Sequence, residues 1–431
     1  MGILIYGYTH GVFSMRELEK RCCEDLSFMY IARMSCPNFR TLNNFRKDNA
    51  AFFEESFIQT VQLAMALNMA SLGHISFDGS KFKANSSKHK AMSYGRLKEK
   101  EQKLCAEIEE LIKQGNDCNN EEDRDYQDKS SYGLPDELAF KQSRLETIQS
   151  AKKALEAREE SIKPGQKIDD KKQISFADHD ARIMGKKGSF DYSYNPQISV
   201  DGDFQIIVGQ HVSQNANDKK EVEAGLESIQ NAADKFPDMI SLDNGYFSGE
   251  NLKALGDNKV DAYIATDRND KKHSESLDES ERKLVKSDFR YDEEEDCFYC
   301  PNDQVLTLKN QGAGGNRVYQ GDITVCANCP FFSRCSQSKK GEARTMTTDK
   351  HEGLRQAMRI KMEQEKAKEI YKRRKVIVEP VFGQIKNGGF RGFSLRGKEK
   401  VAGEFSLVCA AHNIKKMVKA IMMGSVCPAF G

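Results

Sequence analysis

Between Met239 and Ala265 the chain spells a short apolar strand, a capped helix and a second strand with little linker, and this stretch limits the fold more than any other. Met239–Phe247 (MISLDNGYF) reads as a buried strand ending at Asp243-Asn244-Gly245. Ser248 is placed to cap a helix over Ser248–Leu255, with Glu250 in its first turn. Val260–Ala265 is the next strand, and Thr266–Asp270 leaves it with two more acids. Upstream, Tyr194–Ser199 and Phe204–Val212 alternate on either side of Asp201-Gly202-Asp203, which reads as a β-hairpin. A helix is read over Asp218–Ala233. Strands alternating with helices call for an α/β sheet with helices on its faces. Ligands of such sheets bind at strand ends, which draws interest to Asp243. It also draws interest to Asp78, where the alternation of Ser71–Lys83 (SLGHISFDGSKFK) stops. Alone, Asp78-Gly79 reads as an ordinary turn.

The rest of the 431 residues divides by pattern. Residues 1–70 read as helices, with Ser14 and Glu17 as a capping box and with Arg40, Arg46 and Lys47 among them. A helix-turn-helix-like DNA-binding unit and a plain helical bundle both fit that segment. Residues 71–95 hold the first core strand. Residues 96–162 carry two heptad-like stripes, Leu97, Leu104, Ile108, Leu111 and Leu138, Leu145, Ile148, Leu155, around a polar stretch at Asn116–Ser131. They predict an antiparallel helical hairpin inserted into the sheet domain. Residues 163–286 return to the core with Asp243, residues 287–347 form a cysteine-rich, strand-rich module, and residues 348–431 supply late core helices. Asp349–Arg373 reads as one long charged helix.

That last segment contains Tyr371–Lys386 (YKRRKVIVEPVFGQIK), whose only carboxylate is Glu379. Pro380 directly after it predicts a helix that begins or kinks there. From Tyr371 to Lys400 nine basic residues stand against two acids, although the whole chain is only +1. Such a local excess is the footprint of a phosphate-binding surface. An i±4 ion pair inside an exposed helix would also explain Glu379. No apolar run reaches membrane-spanning length, and the first residues lack the charged start and long apolar core of a signal peptide. A reducing cytoplasm is expected, where clustered cysteines suggest metal before disulfide.

Two strand-end aspartates and a helical glutamate, Asp78, Asp243 and Glu379, can together hold two Mg²⁺ ions through hard oxygen ligands. Two such ions about 3.5–4 Å apart activate an attacking oxygen and steady a leaving one in phosphoryl transfer. At this point the motifs say more. FDGSKFKAN at Phe77–Asn85, DARIM at Asp180–Met184, YNPQISVD at Tyr194–Asp201, SLDNGYFS at Ser241–Ser248, YKRRKVIVEPVFGQIK, FSLRG at Phe393–Gly397 and CAAHNIKKM at Cys409–Met417 span nearly the whole chain. Together they resemble the DDE transposases of bacterial insertion sequences, whose core is RNase H-like.

The resemblance implies that Asp78, Asp243 and Glu379 are the metal-binding catalytic triad, served by Mg²⁺ or Mn²⁺. It implies that Tyr371, Arg374 and Lys386 are the tyrosine, arginine and lysine around the family's glutamate, with Lys386 seven residues beyond Glu379 and at DNA phosphate. Arg374 precedes Glu379 by five, so Lys375 at four is a rival for the arginine's place. Arg391 and Arg396 extend the basic surface. The implied partners are double-stranded DNA, as terminal inverted repeats and as target, and a second copy of the chain; no membrane is implied. The implied setting is a bacterial cytoplasm, at the nucleoid when DNA is bound. In the family a longer helical region precedes the segment matching Gly7–Asn49, so an incomplete end-binding domain is expected here.

Cys300-Pro301, Cys326-x2-Cys329 and Cys335 resemble the cysteine-rich insert of one branch of these transposases, and four thiolates can close a structural Zn²⁺ site. Cys297 competes with Cys300, and four reduced thiols packed in a small β-rich module fit as well. Cys22, Cys23, Cys36, Cys105, Cys118, Cys409 and Cys427 read as isolated thiols. His74 and His412 read as structural histidines, and Asp178, Asp180 and Asp267 as spare acids. Two other functions fit the same residues: a metal-dependent nuclease that never joins strands, and an inactive truncated DNA-binding remnant.

Overall fold

Five helices open the chain: α1 (Gly2–Thr9), α2 (Met15–Glu24), α3 (Leu26–Ile31), α4 (Phe39–Asp48) and α5 (Ala50–Ala66). The computed structural model describes the chain apart from residues 88–89, 123–133, 187, 267–281, 313–314, 337, 339–340 and 427–431. Ser14 sits at the N-cap of α2, but its hydroxyl makes no capping bond. The caps that form are Asp25 and Asn38, which accept from the backbone N–H of Ser27 and Arg40 and start α3 and α4. Cys23 and Cys36, expected as isolated thiols, are joined as a disulfide with Cα atoms 5.7 Å apart. The chain turns back between α2 and α4, and spacing in sequence does not reveal that.

The main sheet gathers β1 (His74–Gly79), β2 (Phe82–Lys83), β5 (Arg182–Lys186), β6 (Ser189–Asp201), β7 (Ile207–Ser213), β8 (Met239–Leu242) and β9 (Asp261–Ile264). Between β2 and β5, the short strands β3 (Ala91–Ser93) and β4 (Gln173–Ser175) pair beside two long helices, α6 (Tyr94–Glu122) and α7 (Leu134–Ile162). These helices pack through Leu97, Leu104, Ile148, Ala151 and Leu155. α6 runs into the stretch expected as loop, because a nucleated helix propagates cheaply through polar residues; residues 123–131 of that stretch lie outside the described ones.

Long β6 is the hub. It pairs antiparallel with β1 on one side and with β7 on the other, and its first half carries β2 and β5. β1 pairs parallel with β8, and β8 parallel with β9. The central order is therefore β7-β6-β1-β8-β9. Helices α8 (Val222–Ala233) and α9 (Gly249–Asp257) connect β7 to β8 and β8 to β9. α8 starts later than expected, because the Asp218 carboxylate is held by Asn195 on β6 and does not cap the helix.

A second sheet is antiparallel and follows chain order: β10 (Arg290–Asp292), β11 (Cys297–Tyr299), β12 (Val305–Gln311), β13 (Arg317–Gly321) and β14 (Thr345–Thr348). It has its own small core of Phe289, Phe298, Leu306, Tyr319 and Met346 and carries the short helices α10 (Ile323–Ala327) and α11 (Phe332–Cys335). The single helix expected over Asp349–Arg373 is broken into α12 (Glu352–Glu363) and α13 (Glu365–Lys372), because Gln364 turns extended with ψ 136°. Then follow α14 (Arg374–Ile377), α15 (Glu379–Asn387) and α16 (Lys398–Met422).

The first and last parts of the chain share one core: Leu4, Tyr8, Phe53, Phe57 and Val61 belong to the same cluster as Val401, Phe405 and Val408. A buried ion pair crosses that seam. Arg46 donates to Tyr8 Oη at 2.9 Å and to Glu404 Oε1 at 3.2 Å, and Glu404 also accepts the backbone N–H of Ser394 and Leu395. Among the described residues no helix is long and apolar enough to cross a membrane.

Candidate active site

Parallel pairing of β1 with β8 sets Ser76 opposite Ser241. Carrying that register two residues further brings Asp78 and Asp243 to the same edge of the sheet. The ladder beneath them is locked by Ser76 Oγ and Ser241 Oγ at 2.8 Å, with His74 Nε2 at 3.1 Å from Ser241 Oγ. Asp78 remains on β1, opposite Ile198. Asp243 leaves β8 and caps a single 3₁₀ turn, Asn244–Tyr246, by accepting from Gly245 N–H at 2.7 Å. The third acid arrives from above. Glu379 is the first residue of α15, with Pro380 in that first turn, where a carboxylate is favoured by the helix dipole. Buried Arg374 on α14 links the layers, donating from Nη2 to Asp78 Oδ2 at 2.8 Å and from Nη1 to Glu379 Oε1 at 3.5 Å. Its Nε is buried without a hydrogen-bond partner.

A fourth carboxylate, not expected from the sequence, belongs to this cluster. Asp218 Oδ1 accepts from Asn195 Nδ2 at 2.8 Å and from Gln197 Nε2 at 2.9 Å, both on β6. Gln197 Oε1 in turn accepts from Tyr246 Oη at 2.5 Å, which ties Asp218 to the turn that carries Asp243. A Cβ on Gly245 would stand 2.9 Å from Asp243 Oδ1 and 3.6 Å from Asp218 Oδ2, so the two acids flank one atom-sized space. Gly79 is required beneath them, since a Cβ there would lie 2.2 Å from Gln197 Nε2. β7 runs parallel to β1, being antiparallel to β6 as β1 is, so the loop after β7 reaches the same edge.

Burial pushes the Asp78 carboxyl up to about 6; Arg374 and the Gly79 N–H oppose the shift, and the negative charges of Asp243 and Asp218 add to it. Asp218 is raised by burial as well, against the amides of Asn195 and Gln197 and with the help of Asp243. Burial is the main cause in both, and the neighbouring acids add to it beyond what Arg374 offsets at Asp78.

The basic residues divide by position. Lys386 Nζ lies 2.5 Å from Ser80 Oγ, over the rings of Phe82 and Phe382. Lys386 and Arg391 line a cleft of about 580 Å³ together with Lys81 and Lys83. Arg374 touches two of the acids while Lys375 is exposed, so the geometry gives the inner position to Arg374. Tyr371 is half-buried on α13, and Arg396 donates from Nε to the Asn85 carbonyl. Of the spare acids, Asp178 accepts from Tyr194 Oη and Gly397 N–H, and Asp180 accepts from Lys398 N–H at the start of α16. Asp267 lies outside the described residues. His412 Nε2 meets the Gln205 carbonyl at 3.0 Å, and burial pushes the ring down to about 4.

In the second sheet, Cys300, Cys326, Cys329 and Cys335 line one small cavity of about 60 Å³. Cys300 Sγ accepts the backbone N–H of Asn302 and Gln304. Cys297 is buried elsewhere, beside Glu295, and does not line the cavity. Among the described residues no group of three or more His, Cys, Asp or Glu side chains is arranged as placed to hold a metal ion.

Comparison with known families gives two matches. Residues 299–418 match a transposase DDE domain, and residues 1–48 match a transposase domain (DUF772). The first match contains Glu379, Arg374 and Lys386 but neither Asp78 nor Asp243. No curated protein and no solved structure matches the chain.

Proposed function

We propose that this chain, a DDE transposase of an insertion sequence, binds the ends of its element and cuts and joins DNA at a site built on Asp78, Asp243 and Glu379. The observation that carries the reading is the meeting of two strand-end acids at one sheet edge with a helical acid, linked by Arg374. The strand order β7-β6-β1-β8-β9, a three-strand antiparallel meander followed by two parallel strands, supports an RNase H-like core. On this reading residues 96–162 and 287–347 are insertions into that core, and residues 1–70 are the DNA-binding part.

The donor chemistry suits Mg²⁺ or Mn²⁺: hard carboxylate oxygens on neighbouring elements, which a divalent cation would draw closer than they stand here. When bound, such ions supply the positive charge that activates an attacking oxygen and steadies a leaving one. The chain's own residues do the rest. Asp78, Asp243 and Glu379 hold the charge at the sheet edge, and Asp218 orients the turn of Asp243 through Gln197 and Tyr246. Arg374 bridges Asp78 and Glu379 and keeps the two acids in register, and Lys386 holds the strand beside them. Cleavage is attack of water on phosphorus with departure of a 3′-hydroxyl, and joining is attack of that hydroxyl on a phosphorus of target DNA with departure of the target strand's own 3′-oxygen. Both are in-line displacements, so one site serves both, on paired ends held by two copies of the chain.

The four thiols of the second sheet have the donor chemistry of a structural Zn²⁺ site, since soft donors share one cavity and Cys300 already receives two N–H groups, and zinc would draw them into a closed set. Zinc bound at one equivalent and lost in Cys326→Ser would support that site.

The deciding experiment incubates supercoiled plasmid carrying the element's flanking DNA with Mg²⁺, comparing the native chain with Glu379→Gln. Nicks at the element's ends should fall on the order of a thousandfold in the variant, as expected when several kcal/mol of charge stabilisation is lost. Equal cleavage by both would remove Glu379 from the site. Product analysis on paired ends separates a transposase from a nuclease, because only the former joins strands.

A further inference from the structure

A second cleft, of about 550 Å³, opens where the N-terminal helices meet the last helix. Its walls are the turn Thr9–Phe13 after α1, the C-terminal end of α15, and α16 from Val408 to Lys419. Phe13, Phe390 and Val408 give it an apolar floor, and Lys415, Lys416 and Lys419 line one side. No Asp or Glu lines it. Among the described residues none of these lysines is paired with a carboxylate; Lys416 Nζ donates to a neutral amide, Gln205 Oε1, at 2.7 Å. Burial and the neighbouring Lys419 depress the Lys416 ammonium, as expected of cations gathered without a counter-ion. Asn387, at the end of α15, lines this cleft and also the one that holds Lys81, Lys83, Lys386 and Arg391. The two basic clefts therefore adjoin around the end of the helix that begins with Glu379.

We infer that the cleft between α1 and α16 is a second contact for the sugar–phosphate backbone of duplex DNA, with Lys415, Lys416 and Lys419 as its phosphate ligands. The inference rests on the reading of the chain as a DNA-cutting enzyme and extends it. DNA leaving the carboxylate site past Lys386 and Asn387 would run onto these lysines, independent of its sequence. The N-terminal helices would then act in DNA binding as one wall of a cleft completed by the C-terminal helix. Gln205 gives the cleft a mechanical link to the acids. It accepts from Lys416, its carbonyl meets His412, and it holds Gln384 on α15 and the carbonyl of Val376.

The test measures binding of the full chain to a fluorescein-labelled duplex of random sequence, without divalent cation, across a salt series. Lys415→Gln/Lys419→Gln should lower the slope of log K against log salt by about 2, roughly one unit for each lost phosphate contact. Lys415→Arg/Lys419→Arg should retain the native slope. Lys253→Gln/Lys259→Gln, exposed lysines outside the cleft, should also leave it unchanged. In the native chain, added duplex should shield Lys415 and Lys419 from acetylation while Lys253 stays reactive, a readout that needs no variant to fold. A native slope in the Gln pair, or lysines that acetylate equally with and without DNA, would overturn the cleft while leaving plasmid cleavage intact. A native chain that neither binds nor cuts DNA would overturn the parent reading and this inference together.

Discussion

Two buried acids of this protein live in opposite electrostatic worlds. Asp78, at the edge of the main sheet, faces Asp243 and Asp218 with Arg374 as its cationic partner, and burial holds it protonated up to about 6. Glu352, at the start of α12, lies in the seam between the second sheet and the late helices. It accepts from Lys286 Nζ at 2.8 Å, Arg355 Nη1 at 3.1 Å, Arg359 Nη1 at 2.9 Å and the Thr348 hydroxyl. Burial alone would raise Glu352, but Lys286, Thr348 and Arg359 outweigh it and hold the carboxyl below its usual range. An over-satisfied acid is mortar. An acid raised chiefly by burial, with other acids beside it, is one whose charged form a bound cation would stabilise.

Removing the mortar should produce the largest effect. Glu352→Ala takes the shared carboxylate from three half-buried cations, Lys286, Arg355 and Arg359, of which Arg355 keeps Asp349, and should cost about 3–5 kcal/mol. Chemical denaturation would read the loss, and limited proteolysis should find the 282–348 segment opened first. A variant that melts like the native chain would remove the distinction drawn between the two acids.

The pH dependence should come next, with opposite signs at the two places. Asp78 is raised, so its contribution to stability is complete below about 3.8 and is lost as pH rises through about 6. A shift of that size corresponds to ~3 kcal/mol. Glu352 is depressed, so its contribution is present above its ordinary value near 4.5 and is lost as pH falls. In metal-free protein, Asp78→Asn should flatten the decline between pH 4 and 6, and Mn²⁺ should raise the melting temperature of the native chain chiefly above pH 6. A decline that survives in Asp78→Asn would assign it to another group.

The smallest effect separates the two cations before Glu379. Lys375→Ala should change stability by no more than about 0.5 kcal/mol, as for an exposed side chain. Arg374→Ala removes the cation that lowers Asp78 and should move that titration to higher pH. Equal behaviour of the two variants in a melting series across pH would restore Lys375 as the rival.

The sequence drew interest to Asp78 and Asp243 because each follows an apolar strand, and to Glu379 because it is the sole acid in a basic segment; their grouping as one site came from the resemblance. Sequence reasoning missed Asp218, whose polar surroundings look like any loop until β7 is known to run parallel to β1. It also missed the break at Gln364 and the Cys23–Cys36 bond, which depend on where distant segments fold back.

The alternation of strands and helices, the transposase motifs and the basic run before and after Glu379 were set by local residue pattern, because period, capping and charge act over a few residues. Which acids share an edge was decided by the tertiary structure, because register between strands more than 150 residues apart is fixed only when the whole sheet pairs. The same holds for the seam that closes the second basic cleft. Its lysines and its opposing wall lie at opposite ends of the chain, and packing of α16 against α1 and α5 alone brings them together.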